Sequence, residues 1–370
     1  MSLRVWLGAC LLLLTLAVAQ AAQQEGYPVE YAATVAAARR EGQVVVYAST
    51  DTRAAQPLID DFQALYPGVA VRYHEGDSMG IYQRFLQESS DGLPGADVLW
   101  SSAMDLQMKL VNDGHALAYA SPERAALPDW AVWRNEAYGT TLEPVGFAYN
   151  KELLAKGEVP RTHADFIRLL RAQPQRLHGR VATYDLENSG LGFLVATQDA
   201  RASGMLWEVG RELGRLKARQ MTSTAAMLDS IAAGESLLAY NLLGSYAGEK
   251  MRAHPAIGFV YPVDYTLVGS RIAFIHRRAA HPNAARLWLD YLLSRRGQSL
   301  LASQAGLIAL RSGIQGAQTA AALQQEAAGN LRPIGIGPSL ITYLDRHKRQ
   351  DFLRRWQQAL PPPGAESQGK

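Results

Sequence analysis

Apolar and polar positions along the chain alternate between short apolar runs and stretches of helical period. Residues 43–48 form an apolar run of the kind buried on both faces of a parallel sheet, and Ser49, Thr50, Asp51 and Thr52 follow at once. A helix is predicted over 54–66, ended by Pro67 and Gly68, then a strand over 69–73 and a helix over 81–89. Val98, Leu99 and Trp100 make the next strand, bounded upstream by Gly92, Pro94 and Gly95. Ser101 and Ser102 come directly after it, and Met104, Leu106, Met108, Leu110 and Val111 continue at helical spacing. This β-α-β-α-β order with short links predicts an α/β unit with a mainly parallel sheet. Ligands of such sheets lie beyond the carboxyl ends of the strands.

A second alternating set begins after Pro128. Thr140 and Thr141 lead into a strand over 145–150, and Thr162 with Asp165 resembles a capping box opening a helix to 171. A strand over 181–184 is followed by Asp185, Asn188, Ser189, Gly190 and Gly192. A helix over 225–233 precedes a strand over 237–240, with Asn241, Gly244, Ser245 and Tyr246 at its end. Strands over 257–261 and 272–275, a helix over 283–293, an Ala- and Gln-rich stretch at 315–329 open to loop or helix, and a helix over 339–360 complete the pattern. Lys348, Arg349, Arg354 and Arg355 on that last helix read as a solvated face.

The recurrent turns from strand through hydroxyls into helix carry the candidate chemistry. Free backbone N–H groups, side-chain hydroxyls and the positive helix end converge there, which is a seat for an anion. Taken singly, each turn reads better as an ordinary N-cap, and it is their recurrence along the chain that favours the anion seat.

Composition narrows the class. With 370 residues, 48% hydrophobic and 19% charged, the chain has room for two globular domains. Residues 1–22 read as a secretory signal peptide, with Arg4, an apolar run over 5–18 and a small-x-small site near Ala19 and Ala21. The only cysteine, Cys10, lies in that segment, so a mature product would carry no thiol chemistry. Most of the apolar run follows Cys10, which argues against lipidation. Removing the signal takes one Arg and no acid, so the net charge of +3 becomes 36 − 34 = +2. That balance, without a basic and aromatic cluster, argues against nucleic acid as a partner. An exported hydrolase is the enzyme alternative. The chain has no His-Glu-x-x-His helix and no Gly-x-x-x-x-Gly-Lys-Ser or -Thr loop, and no serine-hydrolase elbow is expected in it.

Several segments together resemble the periplasmic solute-binding proteins of ABC importers, in the branch of ferric-iron and phosphorylated-solute binders. They are residues 44–49, Ala96-Asp97-Val98-Leu99-Trp100, residues 145–150, Gly234-Glu235 ahead of Ala239-Tyr240-Asn241, and residues 280–286 continuing through Leu293-Ser294 to Gly297-Gln298. The resemblance implies a type 2 two-lobed fold: 26–141 with 260–298 as lobe 1, 142–259 with 299–360 as lobe 2, and a disordered tail at 361–370. Crossings between lobes are expected near 141–149 and 257–263. It further implies a periplasmic monomer that closes on a small-molecule solute and hands it to a membrane permease, with no cofactor and no catalysis. Signalling to a membrane sensor kinase is the alternative output.

Asp51 and Ser102 stand where the iron binders of that branch carry a histidine and a glutamate, and Asn241 where they carry a second tyrosine. Hydroxyls and an amide are poor ligands for ferric iron. The expected ligand-binding set is Ser49, Thr50, Asp51, Arg53, Ser101, Ser102, Thr140, Thr141, Ser189, Gly190, Tyr240, Asn241 and Ser245, with no metal site. Arg53 and Arg271 are candidates for pairing with a charged group. A small organic anion, phosphorylated or carboxylated, suits this set, with ferric iron, a sugar or a polyol as alternatives.

Overall fold

The computed structural model describes residues 27–360 apart from Val29 and Pro94. The expected signal segment, with Cys10, and the expected tail lie outside the described residues. In chain order the first elements are α1 (Tyr31–Glu41), β1 (Gln43–Ala48), α2 (Thr52–Leu65), β2 (Ala70–Glu75), α3 (Ser78–Ser90), β3 (Val98–Ser101) and α4 (Met104–Asn112). Strands β4 (Val132–Trp133), β5 (Ala137–Gly139) and the long β6 (Thr141–Asn150) follow. Next come α5 (His163–Ala172), α6 (Pro174–Leu177), β7 (Val181–Tyr184), α7 (Gly190–Ala202), α8 (Met205–Arg215), β8 (Arg219–Met221), α9 (Thr224–Ala232), β9 (Leu238–Leu243) and α10 (Gly244–Ala253). The remainder holds β10 (Ile257–Val260), β11 (Thr266–Gly269), β12 (Ile272–Ile275), α11 (Pro282–Leu293), α12 (Arg295–Ser303), β13 (Ile308–Ala309), α13 (Ala320–Glu326), β14 (Leu331–Pro333) and α14 (Arg346–Ala359).

Two sheets carry these elements. The first runs β2-β1-β3-β12-β5-β4, and the second β14-β11-β6-β9-β7-β8 with β10 and β13 also paired to β6. Pairing is parallel where strands alternate with helices, as in β2-β1-β3 and β9-β7-β8. The antiparallel pairs come from the strands that pass between the sheets and their neighbours.

The chain leaves the first sheet after β5, with Thr140 between it and β6, and comes back between β11 and β12, at Ser270 and Arg271. This return is later than the 257–263 expected, because residues 266–269 still pair with β6 and β14.

Each sheet has a main core of its own, and a further cluster, with Leu99 and Phe274 from the first sheet and Val145 and Leu243 from the second, spans both. Phe62 of α2 meets Trp288 of α11 edge to face at 5.1 Å in the first. Phe147, Phe166 and Tyr240 anchor the second, joined by Phe352 and Trp356 of α14. Burying each large apolar side chain contributes about 1.5–3 kcal/mol. The segment after residue 299, expected with the second half, divides. Leu301, Leu307, Leu310 and Leu323 pack into the first core, and α14 returns to the second. Within the open stretch at 315–329, the Thr319 hydroxyl caps α13 by accepting from Ala322 N at 3.3 Å. The bases of α14 are not all on a solvated face, since Arg349 lies 4.2 Å over the Phe193 ring and Arg355 3.8 Å over Trp207.

Candidate functional site

Parallel pairing of β1 and β3 brings their carboxyl ends side by side, and Ser49 N continues the ladder to Trp100 O at 3.0 Å. The Ser49 hydroxyl therefore meets the turn after β3. It donates to Ser101 Oγ at 3.1 Å and accepts from Ser102 N at 3.1 Å. Ser101 Oγ in turn donates to Ser78 Oγ, at the start of α3, at 3.3 Å. Three of the expected residues are thus one hydroxyl cluster, joined by Ser78, which the sequence did not single out. Asp77 caps α3 by accepting from Met79 N and Gly80 N, and Glu75 accepts from Thr52 N at the start of α2 at 2.7 Å. The first N–H groups of α4 are taken, Ala103 N by Ser101 Oγ, Met104 N by Ser102 O and Leu106 N by Asp105 Oδ1, whereas no side chain caps α10, so its first N–H groups remain available.

The second group of residues gathers at the crossovers. Thr140 N and Thr140 Oγ1 both donate to Arg271 O at 2.9 Å, and the same hydroxyl accepts from Trp100 Nε1 at 2.8 Å. Thr141 Oγ1 accepts from Arg271 N at 3.1 Å and donates to Glu143 Oε1 at 2.8 Å. The Arg271 side chain is fully buried. Its Nε donates to Glu143 Oε1 at 2.7 Å and its Nη1 to Thr50 Oγ1 at 2.9 Å. Ser245 completes this set by donating to the other Glu143 oxygen.

Burial works against the charge of Arg271, but Glu143 and Tyr246 outweigh it and hold the guanidinium above its ordinary pKa. The Tyr246 ring lies 5.2 Å from the guanidinium carbon, and its hydroxyl is 3.5 Å from Ser49 O. The first turn of α10 therefore touches the end of β1, so the two halves meet at this point. Arg271 Nη2 is buried with no hydrogen-bond partner among the described residues. A buried donor left in this state is a place where an acceptor from a guest would be stabilised.

Other expected residues lie elsewhere. Tyr240 OH and Asn241 Nδ2 both donate to Asp199 Oδ2, at 2.7 and 2.9 Å, inside the second half. Strand β9 runs to Leu243 rather than ending at residue 240. Its register with β6 shifts between Gly146 and Ala148, and Asn241 has φ +63° at this bulge. Ser189 caps α7 by accepting from Gly192 N at 3.1 Å. Gly190 opens the same helix, where a Cβ would sit 3.4 Å from Leu106 of α4. Asp51 and Arg53 are exposed at the start of α2. Glu143, Ser78 and Tyr246 were missed. The acid within the crossing strand was the available signal for Glu143, since a charge there needs a buried partner.

Gly76-Asp77-Ser78-Met79-Gly80 does carry the Gly-x-Ser-x-Gly spacing between a strand and a helix, contrary to the expectation of no such elbow. The partner of its Ser78 hydroxyl is Ser101, and among the described residues no histidine is bonded to it to serve as base.

A cavity of about 560 Å³ adjoins this region. Tyr149, Arg161, Gly244 and Tyr261 line it from the second half, and Ile308 and Thr319 from the segment after α12. Among the described residues no cluster of three or more His, Cys, Asp or Glu could hold a metal ion, and no helix is long and apolar enough to cross a membrane.

Residues 48–299 match the family described as bacterial extracellular solute-binding protein. The fold is similar to the crystal structure of the substrate binding protein of an ABC transporter from Agrobacterium tumefaciens, with a TM-score of 0.81 and 39% identity over 86% of this chain and 94% of that one. It is also similar to the periplasmic binding protein AfuA from Actinobacillus pleuropneumoniae with fructose-6-phosphate bound, at a TM-score of 0.71 and 18% identity over 86% and 98% of the two chains. Iron-bound HitA from Pseudomonas aeruginosa aligns at a TM-score of 0.65 and 17% identity, over 86% and 99%. No curated protein matches the chain. A two-sheet α/β fold with paired crossovers, together with these likenesses, leads to one conclusion: the chain belongs to the bacterial extracellular solute-binding proteins, as the substrate-binding component of an ABC transporter.

Proposed function

We propose that this protein, once its signal segment is removed in the periplasm, captures a small phosphorylated or carboxylated metabolite between its halves and releases it unaltered to an importer permease. The observation that carries this reading is Arg271, buried at the crossover with Nη2 unpaired. An anion's oxygen supplies the missing acceptor, and a charge-assisted bond of this kind contributes about 1.5–3 kcal/mol. The Ser49, Ser101 and Ser102 hydroxyls and the uncapped start of α10 supply further donors. Closing the halves over such a guest is what distinguishes loaded from empty protein at the membrane.

Ferric iron is not favoured. Tyr240, at the first of the iron binders' two adjacent tyrosine positions, is committed to Asp199, and burial with that carboxylate drives its hydroxyl well above the ordinary tyrosine pKa. Mass spectrometry of the purified, denatured protein identifies a copurified solute, and calorimetry with phosphate esters, di- and tricarboxylates, sugars and ferric citrate tests the class. An organic anion that binds the wild type and fails to bind Arg271→Met is expected. Binding confined to ferric iron or to neutral sugars overturns the reading.

A further inference from the structure

The cavity beside α10 has a construction that the Arg271 cluster does not use. Three of its walls are aromatic, from Tyr149, Phe259 and Tyr261, and each ring lies against a glycine. A Cβ on Gly258 would fall 2.2 Å from Tyr149 Cζ, one on Gly146 2.6 Å from Phe259 Cε1, and one on Gly244 2.6 Å from the Tyr261 hydroxyl. No other residue lets the backbone come so close, so each ring is held in place by the chain beneath it. The Phe259 and Tyr261 centroids are 5.3 Å apart at 68°. Lys156 and Arg161 line the same space against the single carboxylate of Glu326, a charge balance of 2 − 1 = +1. The volume of about 560 Å³ falls within the range of small-molecule pockets.

We propose that this cavity is a binding site for a planar aromatic anion, an aryl phosphate or aryl carboxylate, whose ring packs among Tyr149, Phe259 and Tyr261 while its charge faces Lys156 and Arg161. Rings prefer offset or edge-on partners, which a fixed three-ring wall presents without reordering on binding. Neither Arg271 nor Thr50 lines the cavity, so the assignment stands or falls apart from the reading of the crossover cluster.

Calorimetry with phenyl phosphate, glycerol 3-phosphate and benzyl alcohol tests it on the full mature chain. Phenyl phosphate is expected to bind at least tenfold tighter than either comparator. Gly248→Leu fills the cavity from α10, and its Cβ meets only the amide end of Gln318, at 3.4 Å. This variant is expected to abolish the preference with its melting temperature unchanged or raised. Tyr261→Ala is expected to weaken phenyl phosphate at least tenfold, and Tyr261→Phe to keep the affinity within threefold. Equal affinity for the aryl and aliphatic esters, equal affinity for benzyl alcohol, or a preference that survives both Gly248→Leu and Tyr261→Ala overturns the assignment.

Discussion

Thr140 and Arg271, which stand at the two places where the chain passes between the sheets, are bonded to each other: the Thr140 amide and hydroxyl both donate to the Arg271 carbonyl, each at 2.9 Å. The backbone of Arg271 thus ties the crossings together, and its side chain reaches Glu143 and Thr50 from the same point. Removing the guanidinium leaves Glu143 buried beside hydroxyls alone. Arg271→Met is therefore expected to lower unfolding stability by about 3–5 kcal/mol, the usual effect of breaking a buried pair. The double variant Arg271→Met with Glu143→Leu is expected to recover much of that stability and none of the anion binding. Urea titration followed by calorimetry separates the two effects.

The Ser49 hydroxyl bridges the ends of β1 and β3. Ser49→Ala is expected to weaken solute binding by about three- to tenfold, the equivalent of one hydrogen bond of roughly 1 kcal/mol. The melting temperature is expected to move by only a few degrees, since the β1–β3 ladder bonds remain. Equilibrium dialysis with the copurified solute, alongside thermal melting, checks this.

Asp105 is buried on the first turn of α4, where it accepts from Leu106 N at 2.9 Å. Burial raises its carboxyl from 3.8 to about 7, against the lowering effect of that backbone bond. A group raised on folding binds more protons in the native chain. Its contribution is therefore full below about pH 4 and is lost as pH rises towards 7. Asp105→Asn is expected to flatten stability against pH over this window, by up to about 1.4 kcal/mol per unit. Denaturant melts at pH 4.5 and 7.5, wild type against variant, measure the difference.

Gly146 lies in β6 where the register with β9 shifts, and a Cβ there would fall 2.3 Å from Val260 O. Backbone cannot retreat from that clash without disturbing the β6–β10 pairing. Gly146→Ala is expected to lower unfolding stability by about 1–3 kcal/mol, as overpacking does. Hydrogen exchange of Phe259 and Val260 amides is expected to rise in the variant.

Much of this architecture was legible from the chain itself. The apolar runs of β1 and β3 end abruptly in hydroxyls, and that contrast located Ser49, Ser101 and Ser102 correctly at adjoining strand ends. Tyr240 and Asn241 misled for a physical reason. Asn241 looked like the polar end of an apolar run, but it is a bulge residue, and Leu242 and Leu243 carry the strand on to Ser245 and Tyr246. Local patterning does not reveal a bulge whose cause is the partner strand. Glu143 depends on an arginine 128 residues further on, and the ring-lined cavity on glycines from three separate elements. Such pairings exist only once the chain has folded.

Because the guanidinium sits where the chain passes between the sheets rather than out on either half, it would travel least if the halves part. On the proposed reading an arriving anion would meet a nearly stationary charge, and Tyr246, which reaches Ser49 O from the other half, would close over it afterwards. Capture and locking would then be separate events. Added salt should slow the first and leave the second untouched, so stopped-flow traces should resolve an ionic-strength-dependent encounter followed by a salt-indifferent clasp.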